Sequence, residues 1–187
     1  MIMKQSGLLR IFIFTCTILL ISIGYFIYVY NTYPAIQENE SVLGEIGEGL
    51  GELGLWGLVF IYGRTCLKIL LGKGKIAKRL VPDYSLDINI TIINKLLHYL
   101  NKTHIYVGIT TIAVILLHIT FMGIPMDILF FPAVLALVIW QGLFGLFLTW
   151  RYSPTQLKKL SYLVHAQLIT GIMIGIFAYF GHLLIDD

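Results

Sequence analysis

The sequence predicts an all-α fold, an integral membrane bundle of five transmembrane helices with the N-terminus inside and the C-terminus outside. Three observations predict it. The 187-residue chain is 58% hydrophobic and only 12% charged, where an ordinary soluble domain is about 45–50% apolar and about 25% charged; its mean hydropathy is +0.85. The apolar residues gather into five runs, each near the roughly 20 residues that cross a bilayer. The segments between the runs alternate in the sign of their charge. So apolar a chain leaves no soluble domain of useful size, which excludes a self-contained nucleotide-binding enzyme, a disordered chain, collagen-like repeats and a disulfide scaffold.

The whole chain, 1–187, reads as one transmembrane domain. The first run, residues 8–30, follows the basic Lys4 and Arg10; it is longer than the apolar core of a signal peptide and no A-x-A site follows, so it reads as a retained helix. The second, 50–71, carries one cation in its body, Arg64. Between it and the third run, residues 73–101 alternate Ile88, Ile90, Ile92, Ile93, Leu96, Leu97 and Leu100 with polar residues, the pattern of an amphipathic segment lying in the interface. The third run spans 103–124. The fourth, 128–150, has Pro132 in its first turn, where proline is tolerated, and the fifth spans 160–185.

Residues 31–52 carry Glu38, Glu40, Glu45, Glu48 and Glu52 without a cation, whereas 72–102 carry Lys73, Lys75, Lys78, Arg79, Lys95 and Lys102, and 151–159 carry Arg151, Lys158 and Lys159. Basic loops stay cytoplasmic, which sets the orientation and agrees with an odd number of spans. Glycines 44, 47, 49, 51 and 54 lie among the glutamates. No strand precedes them, so they do not make a phosphate-binding loop; they read as close helix packing or a flexible lead-in. Cys16 and Cys66 fall in apolar runs and read as small hydrophobes, too few for zinc or a disulfide framework.

The histidines are the chemically informative residues. His104 and His118 lie on the third run and His165 and His182 on the fifth, while His98 precedes them in the polar segment and reads as solvated. Ionisable side chains inside a membrane are costly and mark functional positions. Fourteen residues of helix advance about 21 Å and turn about 40° short of four full turns, so His104 and His118 leave nearly the same face. The third and fifth spans run parallel. His104 and His165 therefore share the inner depth, and His118 and His182 the outer. Facing imidazoles can hold a heme iron from both axial sides, so two levels would hold two b-type hemes, or one at the inner level alone if His118 and His182 do not meet. The 17 residues from His165 to His182 fall about 100° short of five turns, which requires tilt, a π-bulge or a bend near Gly171 and Gly175. Taken singly, an intramembrane histidine also serves as a polar contact between helices.

Heme propionates call for cations. Arg64, Lys102 and Arg151 lie toward the inner side, Arg64 being the first candidate, with snorkelling to the headgroups as its other reading. Trp140 reads as packing or as a group between the hemes, and Gln141 as a polar tether between helices or a partner of a ligand.

These residues resemble a family. GLWGLVFIYGRTCLKILLG (54–72), LNKTHIYVGITTIAVILLH (100–118) and LSYLVHAQLITGIMIGIFAYFGH (160–182) are similar to the second, third and fifth helices of ferric reductase-like transmembrane domains. That family includes the membrane parts of NADPH oxidases and the heme subunit of the periplasmic methionine sulfoxide reductase system. The resemblance covers about residues 45–185, and His104, His118 and His165 match its ligand pattern. His182 departs from it, since the family's last ligand falls where this chain has Ala178 or Tyr179. The resemblance implies two hemes between the third and fifth helices and electron flow from cytoplasm to the far side. The family's sixth helix is missing here, and so is any flavin or nicotinamide domain.

The leading expectation is a b-type cytochrome of a prokaryotic plasma membrane. It passes electrons from a separate donor, a cytoplasmic flavoprotein or a quinol, to an extracytoplasmic acceptor. Its iron ligands are His104 with His165 and His118 with His182. It is an oxidoreductase component without catalytic acid, base or nucleophile, and its partners include no nucleic acid. Two alternatives remain open from the sequence: the quinone-linked anchor cytochrome b of a larger dehydrogenase or hydrogenase, and a heme-free small transporter or assembly factor.

Overall fold

A computed structural model describes residues 7–32, 42–80 and 91–185. These form seven helices and no strand: α1 Gly7–Thr32, α2 Val42–Leu70, α3 Gly74–Leu80, α4 Thr91–Met122, α5 Phe130–Thr149, α6 Thr155–His165 and α7 Leu168–His182. Four of them, α1, α2, α4 and α5, are long and apolar enough to cross a membrane, and α6 with α7, bent by 48° where they join, adds a fifth candidate span if the pair is taken as one. The molecule is an all-helical protein of the multi-pass membrane kind. Its outer surface carries Phe12, Leu20, Trp56 and Ile109 exposed, an arrangement that water would penalise and lipid satisfies.

The local sequence explains where helices stop. The α2 helix ends at Gly72, in a left-handed conformation with φ +63°. There Lys73 N–H donates to Lys68 O at 2.9 Å and Gly72 N–H to Ile69 O at 3.0 Å, the paired bonds of a Schellman cap. The α4 helix ends at Gly123, φ +80°, whose N–H donates to Ile119 O at 2.8 Å, and Pro125 lies just beyond. Pro132 occupies the first turn of α5 and Pro154 directly precedes α6, both positions where the missing N–H costs nothing.

Two element bounds differ from the sequence reading. Within the 73–101 segment α3 is short, residues 81–90 lie outside the described residues, and Thr91–Asn101 forms the first turns of α4. At 32 residues that helix is about 48 Å long, more than the hydrocarbon thickness of about 30 Å, and its polar N-terminal end protrudes. The α2 helix likewise begins at Val42, before the apolar run. Periodic hydrophobicity reports lipid contact, and a helix continues beyond lipid wherever its backbone bonds are satisfied.

The glycines of α2 are helix-packing residues. Antiparallel to α4, Gly47 faces Met122, Gly51 faces His118, Gly54 faces Ile115 and Gly57 faces Thr111. Small residues at this spacing let two membrane helices approach closely. A Cβ at Gly54 would sit 2.9 Å from Ile115 Cγ1. Gly54→Leu is therefore expected to lower the thermal midpoint in detergent, overpacking costing about 1–3 kcal/mol; an unchanged midpoint would show that α2 rides loosely on α4. The second packed group is α1, α5, α6 and α7, joined by an aromatic cluster in which Tyr25 meets Phe130 at 5.0 Å and Phe26 meets Phe180 at 5.5 Å. Tyr25 Oη accepts the Leu129 N–H at 2.9 Å. The two groups touch through α4–α5 and α2–α7, and α3 packs against both α2 and α1, whereas the backbones of α4 and the α6–α7 pair do not approach closely.

Candidate functional site

Four histidines face one another across that separation. His104 on α4 meets His165 at the end of α6, ring centroids 6.0 Å apart. His118 on α4 meets His182 at the end of α7, centroids 6.2 Å apart. The pairs keep the same order along both spans, so α4 and the α6–α7 span run parallel. His104, His118 and His165 are half-buried, His182 is exposed, and His98 is exposed outside both pairs.

The phase shortfall between His165 and His182 is absorbed at the junction of α6 and α7, not near Gly171 or Gly175. Gln167 is extended, φ −85° and ψ +123°. An extended residue turns the side-chain direction by about 180° instead of the 100° of a helical one, which recovers most of the deficit. The 48° bend falls at this break, directly after His165.

Three of the rings are oriented by backbone carbonyls. His118 Nδ1 donates to Gly47 O at 2.8 Å, His165 Nδ1 to Gln141 O at 3.0 Å and His182 Nδ1 to Ala178 O at 2.8 Å. A carbonyl only accepts, so each Nδ1 bears the proton, and Nε2 is the ring nitrogen not engaged by the backbone. This is the arrangement in which an outer partner fixes a metal-binding histidine. Two of these contacts repeat one motif. Gly51 lies four residues after Gly47, and Gly145 four residues after Gln141. A Cβ at Gly51 would stand 2.9 Å from His118 Cε1, and one at Gly145 would stand 3.0 Å from His165 Cε1. The missing side chain uncovers the carbonyl one turn earlier, and the imidazole fills the notch.

The His104–His165 level is also the cationic one. Arg64 Nε donates to Asn101 Oδ1 at 2.9 Å, one turn before His104. Arg64 and Lys68 both act electrostatically on His104, and Arg64 also acts on His165. Lys68, one turn beyond Arg64, escaped the sequence reading, although its i, i+4 spacing places both cations on one face. Lys102 and Arg151 are exposed, and no described hydrogen bond ties either to the pair. His104 Nδ1, Gln141 Nε2 and Ser161 Oγ are buried without a hydrogen-bond partner among the described residues. Ser161 lies one turn before His165.

Between the levels sits an aliphatic layer of Ile115, Val138 and Ile174 with Leu58, Ile112 and Val134 against it. At the His118–His182 level, Phe131 meets His182 edge-on at 5.7 Å. Trp140 does not lie between the pairs: it is half-exposed and packs edge-on to Phe144 at 4.7 Å. Gln141 serves through its carbonyl, an acceptor that any residue supplies. Cys16 and Cys66 are free and exposed, not packed within the protein as small hydrophobes.

The residues fit a heme. Imidazole nitrogens sit about 2.0–2.1 Å from a first-row metal ion, so rings on opposite sides of one iron have centroids about 6 Å apart, the spacing of both pairs. Among the described residues no group of three or more His, Cys, Asp or Glu is placed to hold a metal ion; two opposed histidines suit an iron whose other positions a porphyrin fills. No protein-family model matches the chain, and no curated protein or solved structure matches it. The functional reading therefore stands on this geometry.

Proposed function

We propose that the protein is a two-heme, b-type electron-transfer subunit of a prokaryotic plasma membrane, of the ferric reductase-like kind. The observation that carries the reading is the pair of opposed imidazole couples, 6.0 and 6.2 Å between ring centroids, across helices otherwise held apart. His104 and His165 hold one iron, and His118 and His182 the other. When bound, heme supplies the one-electron redox chemistry. The chain's own residues fix the two levels, about 21 Å apart along α4. The Gly47 and Gln141 carbonyls orient two rings. Arg64 and Lys68 neutralise propionates at the His104 level, and the aliphatic layer keeps water from the space between.

The distribution of charge supports one direction of insertion. Glu45, Glu48 and Glu52 sit at the start of α2 beside the His118 level, whereas Arg64, Lys68, Lys102 and Arg151 gather at the His104 end. With the basic end cytoplasmic, the His104–His165 level takes electrons from a separate cytoplasmic donor or a quinol. The His118–His182 level passes them to an acceptor outside.

A reduced-minus-oxidised spectrum of the purified protein is expected to show b-type bands with about two hemes per chain; their absence from protein expressed with excess heme would end this reading. Arg64→Leu is expected to lower the midpoint potential of one heme by tens of millivolts. Losing a nearby cation destabilises the form that has gained an electron, and about 1 kcal/mol of such interaction is typical of a partly screened pair. An unmoved potential would return Arg64 to a structural tie with Asn101.

A further inference from the structure

A second site opens on the same end of the bundle, away from the histidines. A cleft of about 830 Å³ lies between the first turns of α1, the end of α3 and the α6–α7 elbow. Its lining combines apolar Ile11, Leu80, Leu163 and Ile169 with the cations Arg10, Lys158 and Lys159. No carboxylate lines it among the described residues. Gln167 and Leu168, at the uncapped start of α7, complete the rim, and backbone N–H groups there add to the positive potential. Three cations with no carboxylate beside them among the described residues, together with an apolar lining, match an anionic headgroup joined to acyl chains. Basic pockets between transmembrane helices on the cytoplasmic side bind acidic lipid headgroups in this way.

We infer that this cleft binds one acidic phospholipid, its phosphate held by Arg10, Lys158 and Lys159 and its chains lying along Leu80, Leu163 and Ile169. The lipid ties α1 to the elbow that carries His165. The site does not depend on heme: a protein without b-type bands would leave it standing, and its failure would leave the histidine pairs as they are.

The test uses the full chain in nanodiscs of equimolar phosphatidylglycerol and phosphatidylcholine, released for native mass spectrometry, with thermal midpoints measured in each lipid alone. Phosphatidylglycerol is expected to be retained over phosphatidylcholine and to raise the midpoint. Replacing Arg10→Gln, Lys158→Gln and Lys159→Gln one at a time should each weaken retention about fivefold, the effect of one cation near an acidic surface. Lys95→Gln, outside the cleft, should leave it unchanged. Equal retention of the two lipids would overturn the inference. So would displacement by millimolar inorganic phosphate, which would mark a free-anion site, or displacement by ubiquinone with no loss in the three variants, which would mark a quinone site. If a variant fails to fold, the midpoint difference between the two lipids in the unaltered protein still decides.

Discussion

His165→Ala is expected to cut bound heme from about two per chain to about one and to leave the bands of the other level in place. His104→Ala should do the same to the same heme, because the two rings face each other at 6.0 Å and both are proposed ligands of one iron. His118→Ala and His182→Ala should remove the other heme. The pairing, more than the total, is what the experiment reads. The two variants of one pair must share a residual spectrum and potential, and the two pairs must differ, since only the His104 level lies under Arg64 and Lys68. Heme content by pyridine hemochrome and a potentiometric titration of each variant check it. Equal loss of all heme from every single variant would show one site in place of two.

The second large effect comes from residues that touch no ligand. Gly51→Val and Gly145→Val place a branched side chain where His118 and His165 now sit, the Cβ alone lying 2.9 and 3.0 Å from their Cε1 atoms. The ring must leave its notch and give up the carbonyl bond of Gly47 or Gln141. Loss of such an outer partner costs about 10–100-fold in affinity at metal sites, added to an overpacking cost of about 1–3 kcal/mol. Gly51→Val is expected to strip heme from the His118 level alone and Gly145→Val from the His104 level alone. Gly175→Val, at a glycine with open space around it, should strip neither. Selective loss measured by the same titration distinguishes the notches from general destabilisation, which would lower both levels together.

Much of the site was legible because it rests on repetition along single helices. His104 and His118 share a face by helical arithmetic alone, and parallel spans bring like depths together. The break after His165 was not legible: the 17-residue spacing showed that something must intervene, but the junction at Ala166–Gln167 carries no proline or glycine to mark it. The carbonyls of Gly47, Gln141 and Ala178 were equally silent, since every residue has one and only the neighbouring helix decides which is used. Gly51 and Gly145 did leave a signal, as glycines inside apolar helices that cost stability unless something packs against them. Lys68 is legible as a second cation four residues after Arg64, on the same helix face.

What the sequence determined by itself was the membrane class, the apolar runs and the histidine-bearing faces, because the bilayer imposes a length and a polarity that local composition must meet. The tertiary structure alone decided that α2 packs on α4 through its glycines, that α4 and the α6–α7 span stand apart while their imidazoles meet, and which cations lie beside which pair. Those are distances between residues remote along the chain. They depend on side chains fitting one another in three dimensions, which no periodicity within one segment encodes.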